Sequence, residues 1–349
     1  MTTMNHNPYV QDILSQPQAL RAALQGYPSQ ALKSLAADLL NAKFDRILIT
    51  GMGASLNGSY PSVLRLSRLP LPVQWVETSE LAHFTGGQIT PRTLLWVISQ
   101  SGRSAEIVRL LEICREKRAA ALLAVTNETD SPLAAAADFL LPLNAGAEYT
   151  VSTRTYLNTL AVMGLAATQI LDEPFEPALD AFYAAADAAE SYLARLEDHR
   201  QSLSALAKNL QNLLLVGRGS SLAAVFNGAL VLKEAAKFYA EGMSAAQFRH
   251  GPFELVDHHF YAAVFGGDEP ARRLNLNLAN DILRHGGQAV WIDSQPEDGL
   301  TTWMIPPSAP LTRPVLEILP VQVLSIVLAE LRGVVPGQFR HLGKVVLQE

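Results

Sequence analysis

The chain has 349 residues and a formal net charge of −6, with 49% hydrophobic and 17% charged residues. This length and composition exclude a disordered chain and predict a well-buried α/β protein with room for two domains. The negative charge and the lack of a long Lys/Arg run argue against nucleic acids and anionic membranes as partners.

The sequence also carries no sign of export. No basic segment followed by an apolar core opens it, and no uninterrupted apolar run reaches about 18 residues. The single cysteine, Cys114, excludes an intrachain disulfide and a cysteine-rich metal site. Its place on the apolar face of a helical pattern predicts a buried structural thiol. We therefore expect a cytoplasmic protein with neither a signal peptide nor a membrane span.

The first half alternates strands with helices. Residues 9–42 are predicted to be helical, with interruptions at Pro17 and Pro28. Apolar runs of strand length then follow at residues 46–50, 73–77, 94–99, 121–126 and 138–143. Helical periodicity between most of these runs predicts βαβ units and a doubly wound parallel sheet.

The second half repeats this scheme after a helical connection. Residues 155–171 are predicted to form a long apolar helix, and the Ala-rich residues 178–208 a helix that joins the two halves. Further strands are predicted at residues 212–216, 260–265, 288–293 and 315–319. A helix at about 320–332 and an irregular tail complete the chain.

An internal repeat supports two duplicated halves. Gly51, Gly53 and Ser55 recur at the same spacing as Gly217, Gly219 and Ser221, each time after an apolar strand pattern and before a helical one. The third glycine of a dinucleotide-binding fingerprint is missing from both copies, so a nicotinamide site is a weak interpretation.

A hydroxyl-rich loop follows the third predicted strand. Ser99, Gln100, Ser101, Gly102, Arg103 and Ser104 lie between that strand and a helical pattern. Free N–H groups and the positive end of the helix dipole suit an anion there, although a serine N-cap is the simpler alternative. The corresponding loop of the second half contains Asp268, Glu269 and Pro270, which would repel a phosphate. We expect one anion site per chain, in the first half.

Three further polar stretches, at residues 145–154, 230–254 and 339–344, stand out. Each has an ordinary explanation when taken alone. Lys233, Glu234 and Lys237 suit a solvated helix face, and His250 suits a turn before Gly-Pro. Glu148 suits a helix cap and Lys344 an exposed terminal charge.

In this order, however, the motifs resemble the double sugar isomerase (SIS) domain family, from residues 9–17 to residues 342–344. The whole chain is similar to the isomerase portion of glucosamine-6-phosphate synthase and to the shorter amino-sugar-phosphate deaminases and isomerases. The resemblance implies two tandem doubly wound, flavodoxin-like SIS domains in three αβα layers. The expected organisation is an N-terminal helical segment (1–45), a first SIS domain with the sugar-phosphate site (46–175), a linker helix (176–208), a second SIS domain (209–334) and a C-terminal active-site tail (335–349).

The resemblance also implies a set of site residues. Glu234 is the implied base between C1 and C2, His250 assists ring opening from the neighbouring subunit of a homodimer, and Lys344 lies over the open-chain carbonyl, where an imine can form. Implied binding residues for the substrate and its phosphate are Ser55, Ser99, Gln100, Ser101, Ser104, Gly53, Glu148 and, through its backbone, Val151. Ser104 stands where the synthase has threonine. Proton transfer of this kind requires no cofactor and no metal.

Departures from the family pattern leave several activities open. Val231 replaces a family lysine three residues before the base, and Arg154 takes the place of another lysine. The sequence has no glutaminase domain and no cysteine at position 1 or 2, so glutamine-dependent synthesis is not expected. The remaining alternatives are an amino-hexose 6-phosphate isomerase/deaminase, a fructosamine-6-phosphate deglycase and a non-catalytic sugar-phosphate-binding regulator.

Overall fold

The computed structural model of the chain describes residues 6–117, 119, 121–341 and 343–346. These residues fall into two compact units, each built from three stretches of the chain. The first unit comprises the described residues of Gln18–Glu148, Thr153–Tyr183 and His341–Glu349. The second comprises those of Met1–Pro17, Tyr149–Ser152 and Ala184–Arg340.

The elements up to residue 170 include the strands of one sheet. In chain order they are α1 (Pro8–Leu14), α2 (Gln16–Gln25), α3 (Lys33–Leu40), β1 (Arg46–Gly51), α4 (Gly53–Leu66), β2 (Val73–Glu77), α5 (Thr78–His83), β3 (Thr93–Ser99), α6 (Ala105–Lys117), β4 (Ala121–Thr126), α7 (Pro132–Ala136), β5 (Phe139–Pro142) and α8 (Arg154–Ile170).

The first sheet is parallel and has the order β2-β1-β3-β4-β5, which is typical of flavodoxin-like sheets. Ile49 of β1 lies between Trp75 of β2 and Trp96 of β3. All seven residues of β3 are buried, as a continuous apolar run in a central parallel strand predicts. One core cluster of the sheet with α5 and α6 includes Leu48, Leu95, Val97, Ile107, Leu110 and Cys114.

The prediction for Cys114 is confirmed. The thiol is buried in that cluster, and burial raises its pKa to about 12. A thiol of this kind is protonated and unreactive at neutral pH.

The remaining elements include the strands of a second sheet. They are α9 (Phe175–Leu193), α10 (Leu196–Ala207), β6 (Leu213–Gly217), α11 (Leu222–Ala236), β7 (Ala240–Ser244), α12 (Ala245–Phe248), β8 (Tyr261–Phe265), α13 (Ala271–Arg284), β9 (Gln288–Asp293), β10 (Thr301–Met304), α14 (Arg313–Glu317) and α15 (Leu319–Leu331).

The second sheet is also parallel, with the order β10-β9-β8-β6-β7. Read from the β7 edge, this is the same relative strand order as in the first sheet. Its core cluster with α12 and α13 includes Val216, Val264, Trp291, Leu278 and Ile282. The α/β class and the two parallel sheets predicted from the sequence are therefore confirmed.

The predicted strands of the first sheet are confirmed to within one residue at each end, but three details of the second half are wrong. Residues 315–319 are helical, divided between α14 and α15, because an apolar run of that length does not distinguish a strand from a buried helix. The missed strands β7 and β10 lie at the two edges of the sheet. β7 contains Glu241 and Gly242, and β10 has only four residues, so neither carries a strand-length apolar run.

Two helical predictions also need correction. The linker helix predicted at 178–208 is two helices, α9 and α10, with a break at residues 194–195. The N-terminal helical region is three helices, and Pro17 lies inside the first turn of α2 rather than at a break. Residues 1–5 of the predicted N-terminal segment and residues 342 and 347–349 of the predicted tail lie outside the described residues.

One helical stretch bears on the expectation of no membrane span. Pro310–Leu331 is long and apolar enough to cross a membrane, since an 18-residue window within it has a mean hydropathy of 1.8, but 89% of that window is buried inside the fold. Burial to this extent is what a core helix of an α/β domain shows, so the stretch is weak evidence for a membrane segment.

Candidate active site

The loop of residues 99–104, called here the serine loop, connects the central strand β3 to α6. Its backbone is fixed by its own hydroxyls: Ser99 Oγ accepts a hydrogen bond from the Gly102 N–H at 3.1 Å, and Ser101 Oγ accepts one from the Arg103 N–H at 3.3 Å. Gly102 has a φ of +60°, and a Cβ there would collide with the side chain of Ser131. The turn therefore requires glycine at position 102.

The first turn of α6 faces the same space as the serine loop. The Ala105 N–H donates to the carbonyl oxygen of Val346 at 3.1 Å, so the C-terminal tail takes one of the helix's free donors. Glu106 is buried, and its Oε2 has no hydrogen-bond partner among the described residues. Neither feature is predicted by the sequence, in which only an acidic residue in the first turn of a helix is a visible signal.

A cavity of about 200 Å³ lies against this loop and helix. Both the serine loop and the C-terminal tail line it, together with the start of α4. The lining residues are Met52, Ser55, Ile98, Ser99, Gln100, Ser101, Ser104, Glu106, Ile107, Lys344, Val345 and Val346. The first unit thus brings together Lys344 and all five side chains predicted to hold a phosphate.

Lys344 lies at the edge of this cavity and contributes a positive charge to its lining. Its Nζ donates to the carbonyl oxygen of Glu148 at 2.8 Å and to the Oε2 atom of the same residue at 3.1 Å. The lysine side chain is 24% exposed and the glutamate side chain 1% exposed. Arg103 pairs instead with the exposed Asp130 at 2.8 Å. Lys344 is therefore a partly buried, paired ammonium rather than a solvated terminal charge.

Glu148 also caps the helix that follows it. Its Oε1 accepts hydrogen bonds from the N–H groups of Thr153 at 2.8 Å and Thr155 at 3.1 Å, and its Oε2 accepts one from the Thr155 hydroxyl at 2.8 Å. These contacts lie at the N-terminus of α8, so the structural role that the sequence allowed for Glu148 is confirmed.

Three of the remaining predicted residues, Glu234, His250 and Val151, belong to the second unit. Glu234 is half-buried near the end of α11, and the exposed Lys233 precedes it. His250 is exposed in the turn after α12, where its N–H donates to the carbonyl oxygen of Gln247. Val151 is fully buried. Gly53, in the first unit, is exposed at the start of α4.

Lys237 follows the last residue of α11 and points back towards Glu234. Its Nζ donates to the carbonyl oxygen of Glu234 and lies 5.8 Å from the centre of the Phe339 ring. Burial lowers the pKa of Lys237, the neighbouring Arg340 lowers it further, and Glu234 opposes the shift. The helix end thus carries a second ionisable group beside the predicted base.

The strand ends of the second sheet carry an ion-pair network. Arg313 binds Asp268 at 2.9 Å, and Arg272 binds Asp293 at 3.0 Å. The fully buried Glu317 accepts a hydrogen bond from the Ser221 hydroxyl at 2.9 Å. The acidic side chains of Asp268, Asp293 and Glu317 therefore lie at the end of the second sheet where residues 268–270 form the counterpart of the serine loop.

Comparison with known proteins gives a family for the first unit. Residues 38–169 match the family model of the SIS domain. The chain carries a SIS domain. Over 362 residues it is 27% identical to the glutamine–fructose-6-phosphate aminotransferase (isomerizing) of Thermococcus kodakarensis, with 97% of this chain and 58% of that protein covered. The chain thus spans less than two thirds of the length of this relative.

Solved structures of similar proteins have the same fold. The C-terminal domain of glucosamine-fructose-6-phosphate aminotransferase from Francisella tularensis matches with a TM-score of 0.84 at 20% identity, covering 97% of this chain and 99% of that one. Glucosamine-6-phosphate deaminase from Thermotoga maritima matches with a TM-score of 0.76 at 19% identity, covering 98% and 100%. The resemblance of the SIS-domain chain to the isomerase part of the aminotransferases is therefore confirmed.

Proposed function

We propose that this SIS-domain protein is an isomerase/deaminase that acts on an amino-hexose 6-phosphate. The cavity of the first unit carries this proposal, because it combines four serine hydroxyls, an amide side chain and one primary amine at a helix N-terminus. The names of the matched aminotransferase and deaminase support a phosphosugar substrate.

The phosphate serves as the handle of the substrate in this proposal. Ser55, Ser99, Gln100, Ser101 and Ser104 bind it, and its binding energy holds the reacting carbons in place. Lys344 lies at the cavity edge, where it polarises the open-chain carbonyl or forms an imine with it. The two hydrogen bonds that Lys344 donates to Glu148 keep this lysine in position.

Proton transfer follows once the ring is open. His250 from the partner subunit of a homodimer exchanges protons with the ring oxygen and the anomeric hydroxyl. Glu234 takes the proton from C2 and returns it to C1, which leaves an imine at C2. Water adds to that imine and ammonia leaves, so the product is a ketose 6-phosphate.

We further propose that the second unit is a second SIS domain and that residues 335–349 form an active-site tail. The shared strand order of the two sheets and the repeated Gly-x-Gly-x-Ser turn support the duplication. The tail proposal is supported by the contact between Val346 and α6.

A panel of amino-hexose and fructosamine 6-phosphates tests the proposed function. We expect ammonia and a ketose 6-phosphate from an amino-hexose 6-phosphate, measured together by coupled assays. Release of an amino acid instead would identify a deglycase. Tight binding of a sugar phosphate with no product at all would identify a regulator.

A further inference from the structure

The conformation of Lys237 is unusual for a lysine. It has a φ of 53° and a ψ of 34°, in the left-handed region, at the carboxyl end of α11. Its N–H donates to the carbonyl oxygen of Leu232 and so ends the helix. Glycine adopts this conformation without the steric cost of a side chain and would form the same backbone hydrogen bond. Capping alone therefore does not account for a lysine at this position.

The side chain is held at two points. Nζ donates to the carbonyl oxygen of Glu234, and the ring of Phe339 lies 5.8 Å from the ammonium, within the range of a cation–π interaction. The segment that carries Phe339 is itself attached to α11, because the Gly337 N–H donates to the carbonyl oxygen of Ala235 at 3.2 Å. The ammonium is thus fixed within one helical turn of Glu234.

We propose that Lys237 is a positioning residue for Glu234: its ammonium, fixed by the Glu234 carbonyl and the Phe339 ring, keeps the Glu234 carboxylate ionised. The inference rests on the proposed function, in which that carboxylate is the base. A cation near a carboxylate favours the charged form, and partial burial of both groups strengthens the interaction relative to a solvated pair.

Among the described residues near Glu234, Tyr9, Asp12, Lys233 and Arg340 do not replace Lys237. Tyr9 of α1 is fully buried and hydrogen-bonded to Ser325 at 2.8 Å, and burial raises the pKa of its phenol, so it remains neutral. The carboxyl group of Asp12 of α1 accepts a hydrogen bond from the Tyr149 N–H at 2.6 Å, so it supplies no positive charge. Lys233 of α11 and Arg340 of the tail are exposed cations, whose fields water and salt screen.

The pH dependence of kcat tests this role. In Lys237→Met we expect the acid limb of the kcat profile to move up by about half a pH unit to one unit, because the carboxylate loses the field of a partly buried ammonium. Turnover on that limb then falls about 3- to 10-fold, while the rate at higher pH is retained. Lys237→Arg should keep the wild-type limb. Lys233→Gln is the matched control, since Lys233 is exposed on the same helix, and its profile should equal that of the wild type.

A second variant separates electrostatics from folding. Lys237→Gly relieves the left-handed strain, so we expect a melting temperature at or above that of the wild type together with the same shift of the acid limb. If the acid limbs of Lys237→Met and Lys237→Gly coincide with that of the wild type, the proposal for Lys237 is wrong. The proposed function is tested separately, by the loss of turnover in Glu234→Gln.

A measurement that does not depend on turnover tests the role of Lys237 independently of the proposed function. Carbon-detected NMR of the ¹³C-Glu-labelled protein follows the titration of each carboxyl, and the signal missing from Glu234→Gln identifies Glu234. We expect a higher pKa for this carboxyl in Lys237→Met than in the wild type. Equal values would overturn the inference, even in a protein that turns over no sugar phosphate.

Discussion

At the residue scale, Glu148 serves two parts of the first unit with one carboxylate. It caps α8 through Thr153 and Thr155, and it pairs with Lys344 of the tail. Because the helix cap fixes the carboxylate, the position of the Lys344 ammonium is fixed as well. Preorganisation of this kind lowers the cost of placing an amine over a substrate.

Substitution of Lys344 tests the role of that amine. We expect Lys344→Ala to lose turnover by about 10²-fold or more, because carbonyl activation is removed, while the phosphate contacts remain. Sugar-phosphate affinity, measured by calorimetry, should stay within a few-fold of the wild type. Lys344→Arg is the control: it keeps the positive charge but cannot form an imine.

Borohydride reduction in the presence of substrate distinguishes the two forms of activation. A mass adduct on Lys344 indicates an imine, and an active Lys344→Arg without an adduct indicates electrostatic activation. Full activity of Lys344→Ala would contradict both.

Glu234→Gln tests the proposed base. The change keeps the shape and hydrogen bonding of the side chain but removes its basicity, so turnover should fall about 10²- to 10⁴-fold with substrate binding nearly intact. The direct measurement is exchange of deuterium at C2 with solvent. Exchange at the wild-type rate would show that another group is the base.

Glu317 should make stability depend on pH. Burial raises the pKa of its carboxyl from 4.5 to about 8, against the opposing effect of Arg313. The folded protein therefore binds more protons than the unfolded chain between these values. The free energy of unfolding should fall as pH rises from about 4.5 to 8, by at most about 5 kcal/mol for this group.

The neutral isostere Glu317→Gln should flatten that dependence in urea unfolding at pH 5, 6.5 and 8. Glu330→Gln is the control, because Glu330 forms a partly exposed pair with Arg200. An unchanged slope in Glu317→Gln would mean that other groups dominate the titration.

At the element scale, the serine loop depends on a close approach of backbone segments. Gly102 turns the chain towards α6 in a left-handed conformation, next to the start of α7. At Gly51, a Cβ would lie 2.8 Å from the carbonyl oxygen of Ile98, so the ends of β1 and β3 also meet too closely for a side chain. These two positions shape the cavity without contributing a functional group to it.

Gly102→Ala should therefore weaken both the fold and the proposed anion site. We expect a loss of about 2 kcal/mol or more in the free energy of unfolding, from the left-handed backbone and the collision with Ser131. Binding of inorganic phosphate should fall in parallel. Gly87→Ala is the control, since a Cβ at Gly87 meets nothing within 4 Å. Equal phosphate affinity in both variants would argue against the serine loop as the anion site.

At the scale of the whole molecule, a homodimer with His250 supplied by the partner predicts complementation. Glu234, His250 and Val151 lie in the second unit, while the residues proposed to bind the phosphate lie in the first. His250→Ala and Lys344→Ala should each be inactive alone. After mixing and subunit exchange, heterodimers with one intact site should restore about a quarter of wild-type activity. No recovery in a mixture shown to contain heterodimers would mean that His250 acts within its own chain.

The sequence by itself determined the α/β class, the first sheet and the serine loop. Buried parallel strands leave continuous apolar runs, and the helix N-terminus after β3 is marked by Ser99, Ser101 and Ser104. These signals are local, so they can be read without knowing what packs against them. The strands β7 and β10 were not predicted, because these two edge strands carry no such run. Residues 315–319 were predicted as a strand because burial in a helix produces the same composition as burial in a strand.

Only the tertiary structure decided how the cavity is completed. Lys344 meets Glu148 across 196 residues of sequence, and the carbonyl oxygen of Val346 reaches the first N–H of α6. Neither contact follows from a pattern, because each joins a residue of an irregular tail to a distant helix end. The left-handed turn that ends α11 directs the Lys237 ammonium back to the carbonyl oxygen of Glu234, and only the tertiary structure brings the Phe339 ring against that ammonium.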